Sequence, residues 1–367
     1  MIIGHHHTIK GNIRSILLIQ LGDIGDVVWA IPTFQAVKET YPHANISVLL
    51  REGYGCLIKE DPSIYKIFEV KRYQGSLINR IVKELRFLRE LQREKFDLVI
   101  DLRADDRGAI MALMTRAPVR GAHHYFGLPF WRNRLFTHLV DSLPTEEKKL
   151  GAAEQSLRVV RGFGIEAKTT IPRLRVSEET MKRVLQIFSD CKIKPALSEP
   201  FNQWVTLNPF SRWSYKEWAC EKWVHVINWL WNDFRLATVI VGSKEEKERA
   251  NDLSARCAET SYNLAGKTNL AELAGLLSLS YLHIGVDSAA PHIAAAVGTR
   301  TITIYGPSNW RDWAPVGDQH RVISPDMDCV PCRNKGCDGL ERSLCLETLT
   351  VDRVQRIIQE ELEKRSG

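Results

Sequence analysis

A chain of 367 residues that is 44% hydrophobic can bury a large core, and its length favours two or three domains because single cores rarely grow past about 250–300 residues. Its 50 Lys and Arg against 44 Asp and Glu leave a net charge of +6, too mild and too dispersed to point to nucleic acid. No stretch approaches the roughly 20 uninterrupted apolar residues of a membrane-spanning helix, and eight cysteines in this length do not make a secreted disulfide scaffold.

In chain order, the polar start Met1–Gly11 carries His5, His6 and His7. It reads as a terminal tail rather than a metal site, and it is no secretory signal, so the cytoplasm is the expected address. Ser15–Gln20 is an apolar run of strand length, followed by glycines and an amphipathic stretch through Glu39. Asn45–Arg51 and Lys66–Val70 read as further strands. Leu77, Ile81, Leu85, Leu88 and Leu91 then recur at helical spacing, before strands at Phe96–Leu102 and Ala117–Ala122. The pattern starts again with strands at Val205–Asn208, Leu236–Val241, Tyr281–Val286 and Thr301–Tyr305, and helices over 216–233, 244–258, 270–279 and 288–297. Near-continuous apolar strands between helices predict parallel sheets covered on both faces. The expected architecture is α/β, with two Rossmann-like doubly wound domains at 1–172 and 173–350. A C-terminal helix over 351–367, with Val351, Val354, Ile358 and Leu362 on one stripe, is expected to pack back toward the first domain. Tandem domains of this kind gather ligands at the carboxyl ends of their strands.

Three segments carry chemistry. The turn Leu21-Gly22-Asp23-Ile24-Gly25-Asp26 follows the first strand and lacks the Gly-x-Gly-x-x-Gly dinucleotide fingerprint. One carboxylate there would cap a helix; the second, Asp26, is free to act as a general base or to share the capping. The run Gly285 to Ala296 ends a strand and opens a helix, with Asp287 or Ser288 as cap, Pro291 in the first turn, and small residues at 288–290. Open backbone N–H groups at Ser288 and Ala289 suit a diphosphate, and His292 is either an anion partner or a packed core histidine. The third segment, Asn208 to Trp218, brings Ser211, Arg212 and Lys216 to a strand end. A lysine there is a suitable point charge for a leaving phosphate, whereas Trp218 and Trp223 read as core.

These segments, in this order, resemble the lipopolysaccharide heptosyltransferases, glycosyltransferase family 9. The matching features are the Gly25-Asp26 turn, Lys216-Glu217-Trp218, Gly242 to Ala250, Val286-Asp287-Ser288 through His292, and Ile304 to Ser308, and the resemblance spans about residue 13 to residue 357. It implies a GT-B fold and an inverting transfer of heptose from ADP-heptose, without a metal or other cofactor in catalysis. Donor and nucleotide would lie on the second domain and the acceptor on the first. By position, Asp26 looks like the base, Lys216 and Ser211 like diphosphate ligands, Asp287 like a polar contact to the donor, and Glu246 like a ribose partner, with Glu245 adjacent.

The same resemblance implies an acidic acceptor, lipid A bearing Kdo or an already heptosylated core, met by a protein working peripherally on the inner face of the cytoplasmic membrane. Lys71, Arg72, Arg120, Arg132 and Arg134 are the candidate acceptor-binding cations, with Tyr73, Phe130 and Trp131 nearby. Near the C-terminus, Cys329, Cys332, Cys337 and Cys345 have the spacing of a thiolate site for a structural zinc, with free thiols or disulfides as alternatives. Asp326-Met327-Asp328 beside them reads as surface. Other functional readings are a GT-B transferase with another nucleotide sugar, a nicotinamide oxidoreductase, and a non-catalytic sugar-nucleotide-binding protein. The oxidoreductase fails on the missing glycine fingerprint and on Arg51 at the end of the second strand, where an acidic residue would hold a ribose.

Overall fold

Each apolar run of strand length becomes a strand, and the runs are apolar throughout because both faces of each sheet are covered. The computed structural model describes residues 1–4, 7, 9, 11–71, 73, 76–103, 105–124, 130–141, 151–193, 204–257 and 261–364. His5, His6 and Arg72 lie outside the described residues. Packing divides the chain into two units, Met1–Arg173 and Leu174–Gly367.

In the first unit, β1 (Ile2–Ile3), β2 (Ser15–Ile19), β3 (Asn45–Arg51), β4 (Lys66–Val70), β5 (Leu98–Asp101), β6 (Val119–His123) and β7 (His138–Val140) form one sheet. The order is β1-β7-β6-β5-β2-β3-β4, and every pairing is parallel. Its core includes Leu17, Ile19, Leu49, Phe96, Val99 and Ala122. The chain runs outward from β2 through β3 to β4, then returns to the other side of β2 for β5. That reversal makes the gap between β2 and β5 a topological switch point, where the loops at the carboxyl ends part and leave room for a ligand.

The second unit repeats the plan. Here β8 (Trp204–Asn208), β9 (Ala237–Ile240), β10 (Ser261–Asn263), β11 (His283–Val286), β12 (Thr301–Ile304) and β13 (His320–Ile323) stand in the order β10-β9-β8-β11-β12-β13, again all parallel. The switch point falls between β8 and β11. Trp218 and Trp223 are buried and meet edge to face at 4.9 Å, which adds about 0.5–1.5 kcal/mol to their area burial.

Four strands escape sequence reading: β1, β7, β10 and β13. They hold two to four residues at or beside sheet edges, too few to show an apolar run. Helices Asp106–Met114 and Glu154–Arg161 were not predicted either. Lys216 was expected inside a helix. It ends a single 3-10 turn, Ser214–Lys216, and the helix begins only at Cys220.

Two amphipathic helices differ in what their stripes meet. The C-terminal helix Val351–Glu363 buries Val354, Ile358 and Leu362 in the second unit's own core, with Trp218, Trp223 and Leu230. Its stripe is taken up in that core, and each aliphatic side chain so buried contributes about 1.5–3 kcal/mol. Helix Leu77–Arg93 forms over its predicted stretch, but it buries only Leu91 and leaves most of its apolar stripe exposed.

Candidate active site

In the first unit the turn after β2 is built around one carboxylate. Gln20, nearly buried, accepts the Gly22 N–H on its side-chain oxygen at 3.1 Å, which closes the turn. Asp23 takes the N-cap of helix Ile24–Thr40 in an extended conformation, and Asp26 stands three residues inside. The Asp26 Oδ2 accepts the Asp23 N–H at 2.7 Å, so the base candidate also serves the helix start. A Cβ on Gly22 would lie 2.4 Å from Asp26 Oδ2 and 2.6 Å from Asp26 Cβ, so only glycine leaves this carboxylate its place.

Two arginines that sequence reading did not assign complete the turn. Arg51, the last residue of β3, donates from Nη1 to Asp23 Oδ1 at 2.8 Å. Arg103, just past β5, donates to Asp26 Oδ2. The Asp26 side chain is only 14% exposed, and burial raises its carboxyl above the usual carboxylate range. Arg103 and the Asp23 N–H oppose that shift, which keeps the charged form accessible. Gln20, Asp26, Trp29, Leu102, Arg103 and Gln155 line a small pocket here, at the β2–β5 switch point. The signal for Arg103 was present: it directly follows an apolar strand, at the carboxyl end where ligands gather.

The second unit holds its own cluster at the β8–β11 switch point. Lys216 Nζ donates to Asp287 Oδ2 at 2.6 Å, with the two side chains 22% and 9% exposed. Ser211 Oγ donates to the Asp287 carbonyl at 3.3 Å, and Ser288 Oγ donates to Asn208 Oδ1 at 2.8 Å. The loops after β8 and β11 are thus stitched together by Ser211, Lys216, Asp287 and Ser288. Asp287 or Ser288 was expected to cap the following helix, but neither does. Ala289 is its N-cap and Pro291 stands in its first turn, so no side chain caps the N-terminal N–H groups.

His292 is buried, and burial holds it neutral with a pKa of about 4. Glu246 Oε2 accepts the Ser243 N–H at 2.6 Å and so is fixed beside the loop after β9, whereas Glu245 is exposed. Arg212 is exposed. Glu217 accepts the Ser211 N–H at 2.9 Å and pairs with Arg249, whose guanidinium lies 4.7 Å from the centre of the Phe210 ring.

The basic residues of the first unit do not form one set. Lys71 and Arg134 are exposed. Arg120 is half-buried and donates to the carbonyls of Leu135, at 2.9 Å, and Ala117, at 2.5 Å. Arg132 is fully buried, 3.9 Å from Asp106 and 5.8 Å from the centre of the Phe136 ring, so it is not a surface cation. The expectation that Arg132 meets an acceptor directly is corrected, because its guanidinium is buried in the unit's own interior, whereas Arg120 is half-buried and held by backbone carbonyls.

The four C-terminal cysteines also differ from the metal-site expectation. All are free thiols, Cys329 is exposed, and Cys345 is buried with its pKa pushed up to about 11 by that burial and by Cys337. Among the described residues no three metal-ligating side chains converge as a site. Asp326 and Asp328 are exposed, in keeping with a surface role.

Comparison with known proteins gives a consistent result. The sequence profile of Glycosyltransferase family 9 (heptosyltransferase) matches residues 84–341, a span that includes Lys216, Glu246 and Asp287 but not Asp26. Lipopolysaccharide heptosyltransferase 3 of Escherichia coli K12 is 28% identical over 300 residues, covering 79% of this chain and 82% of the relative. Among solved structures, the glycosyl transferase family 9 protein of Veillonella parvula superposes with a TM-score of 0.77 at 20% identity, covering 96% of this chain and 97% of that one. The ADP-heptose lipopolysaccharide heptosyltransferase II of E. coli gives a TM-score of 0.76 at 20% identity, covering 96% and 100%.

Proposed function

Because the chain belongs to glycosyltransferase family 9, the heptosyltransferases, we propose that it transfers heptose from ADP-heptose onto the inner core of lipopolysaccharide, with inversion at the anomeric carbon. Its two parallel α/β units are of the GT-B class. Asp26 is the general base and takes the acceptor hydroxyl proton. The acceptor oxygen then bonds to the anomeric carbon as the bond from that carbon to the diphosphate breaks, and ADP leaves with the electron pair. Lys216 and the uncapped N–H groups beginning at Ala289 stabilise the charge that grows on the diphosphate. Ser211, Ser288 and Asp287 hold the loops that present them, and Glu246 meets the ribose. Arg103 keeps the buried Asp26 carboxylate ionised until it accepts the proton.

One observation carries the reading. A carboxylate whose pKa is raised by burial, yet tethered to an arginine, lines a pocket at a switch point. Capping alone requires no such environment, because an exposed aspartate caps as well. The acceptor is a lipid-linked sugar, so the protein is proposed to work peripherally at a membrane surface. No helix among the described residues is long and apolar enough to cross one.

The test is kinetic. Asp26→Asn should lower turnover of ADP-heptose on a Kdo-bearing acceptor by about 10²–10⁴, the usual worth of a general base, while ADP affinity by calorimetry stays within about threefold. A variant that keeps more than about a tenth of the parent rate would reduce Asp26 to a helix cap.

A further inference from the structure

Helix Leu77–Arg93 is amphipathic, but much of its apolar side faces outward. Leu77 is 68% exposed, Ile78 74%, Ile81 47%, Val82 50% and Leu85 47%. Their spacing of one, three and four residues sets them on one broad face across the first two turns and more. The helix meets its own unit through its C-terminal half, with Leu91 buried and Phe87 half-buried. Single exposed aliphatic residues are ordinary; five on one helical face mark an interaction surface.

The charges on the same helix narrow the partner. Arg80, Lys83, Arg86, Arg89 and Arg93 stand against Glu84 and Glu90, five cations and two anions, a net +3. Glu90 already faces Lys66 at 3.3 Å, so it does little to offset the row. On a helical projection, Arg86, Arg89 and Arg93 flank the apolar face beside Ile78 and Val82. A second copy of this helix would bring like charges together. A negatively charged surface with an apolar interior accepts both features, and the charged residues keep the helix in the interface plane rather than across it.

We propose that helix Leu77–Arg93 docks the protein on an anionic phospholipid bilayer, with Leu77, Ile78, Ile81, Val82 and Leu85 entering the acyl boundary and the arginines meeting headgroup phosphates. This rests on the reading above that the acceptor is a lipopolysaccharide, since an acceptor held in a bilayer is where such a surface is useful. Docking confines the enzyme to the plane of its acceptor. It acts on the apparent KM for membrane-held acceptor and leaves the chemical step alone.

The experiment is co-sedimentation of the full chain with vesicles of phosphatidylcholine alone and with about a third phosphatidylglycerol. The parent should bind the anionic vesicles, bind neutral ones far more weakly, and release as salt rises. Ile78→Ser/Val82→Ser/Leu85→Ser and Arg86→Glu/Arg89→Glu/Arg93→Glu should each lower binding about tenfold or more. Their melting temperatures should hold, because these side chains bury little. Binding equal to the parent's in both triple variants would overturn the proposal, as would a parent that ignores anionic vesicles. So would a parent dimer, seen by sedimentation, that the serine variant dissolves, since a second copy would then cover the face. Turnover on a detergent-dispersed acceptor, measured separately, should be equal in parent and serine variant. Absence of turnover in the parent with vesicle binding intact would count against the heptosyltransferase reading and leave the docking surface standing.

Discussion

Asp26 is stabilised for two purposes that pull against each other. Its carboxyl is raised by burial, so the folded state holds that proton more tightly than the unfolded chain does. Between the ordinary aspartate range and the raised folded value, stability therefore increases as pH falls, and at neutral pH the buried charge is a cost. Asp26→Asn keeps an oxygen for the Asp23 N–H and removes that charge, so its melting temperature at pH 7 should be no lower than the parent's even as activity is lost. A clear drop by calorimetry would mean that the Arg103 pair outweighs desolvation. The raised value also sets the acid limb of kcat/KM above the usual carboxylate range, because the base is lost as pH falls through it. Gly22→Ala tests placement alone. A methyl 2.6 Å from Asp26 Cβ must displace the first helical turn, so kcat should fall at least about tenfold with ADP affinity unchanged. Equal kcat in the alanine variant would mean the turn tolerates the shift.

At the scale of elements, the loops after β8 and β11 are the proposed donor-binding parts of the second unit, and the Lys216–Asp287 pair joins them. Lys216→Ala leaves a 9% exposed carboxylate without its cation, a loss of about 1–3 kcal/mol for an unsatisfied buried acceptor. The variant should melt earlier and bind ADP at least about tenfold more weakly. Lys216→Ala with Asp287→Asn should recover part of the stability but none of the ADP affinity, because the diphosphate needs the cation and the fold needs only the pairing. Additive losses in the double variant would show that the two side chains act independently.

Across the whole molecule, buried histidines shape the response to acid, His283 and His292 most fully buried among them. Both are buried in the second unit, and burial lowers their pKa values to about 3 and about 4. Unfolded, each takes up a proton near the ordinary histidine value of 6.5. The unfolded state then binds more protons, so the stability present above pH 6.5 declines as pH drops toward 4. The loss is up to about 1.4 kcal/mol per pH unit for each histidine. His320 adds to this in the second unit, whereas in the first unit His123 and His138 are lowered in the same way but are opposed by Asp26. Calorimetry between pH 7.5 and 5 should therefore show the second unit's transition moving down more than the first's. Transitions that move together would show that these histidines are not held neutral.

Sequence alone determined the class of fold, because strands buried on both faces of a parallel sheet must be apolar throughout, and that composition is local. It also determined the Gly22–Asp26 turn and the Asp287 segment, since each follows a strand at the carboxyl end where backbone and polar side chains meet. The resemblance to family 9 was legible for the same reason. Tertiary structure alone decided which charges pair. Arg103 reaches Asp26 across 77 positions and Lys216 reaches Asp287 across 71, because strand order brings their loops together at the switch points. It alone decided that Arg132 turns inward, that the C-terminal helix completes the second unit's core, and that helix Leu77–Arg93 shows its apolar face to the outside. Periodicity states which residues share a face, but what that face meets depends on packing among segments far apart in the chain.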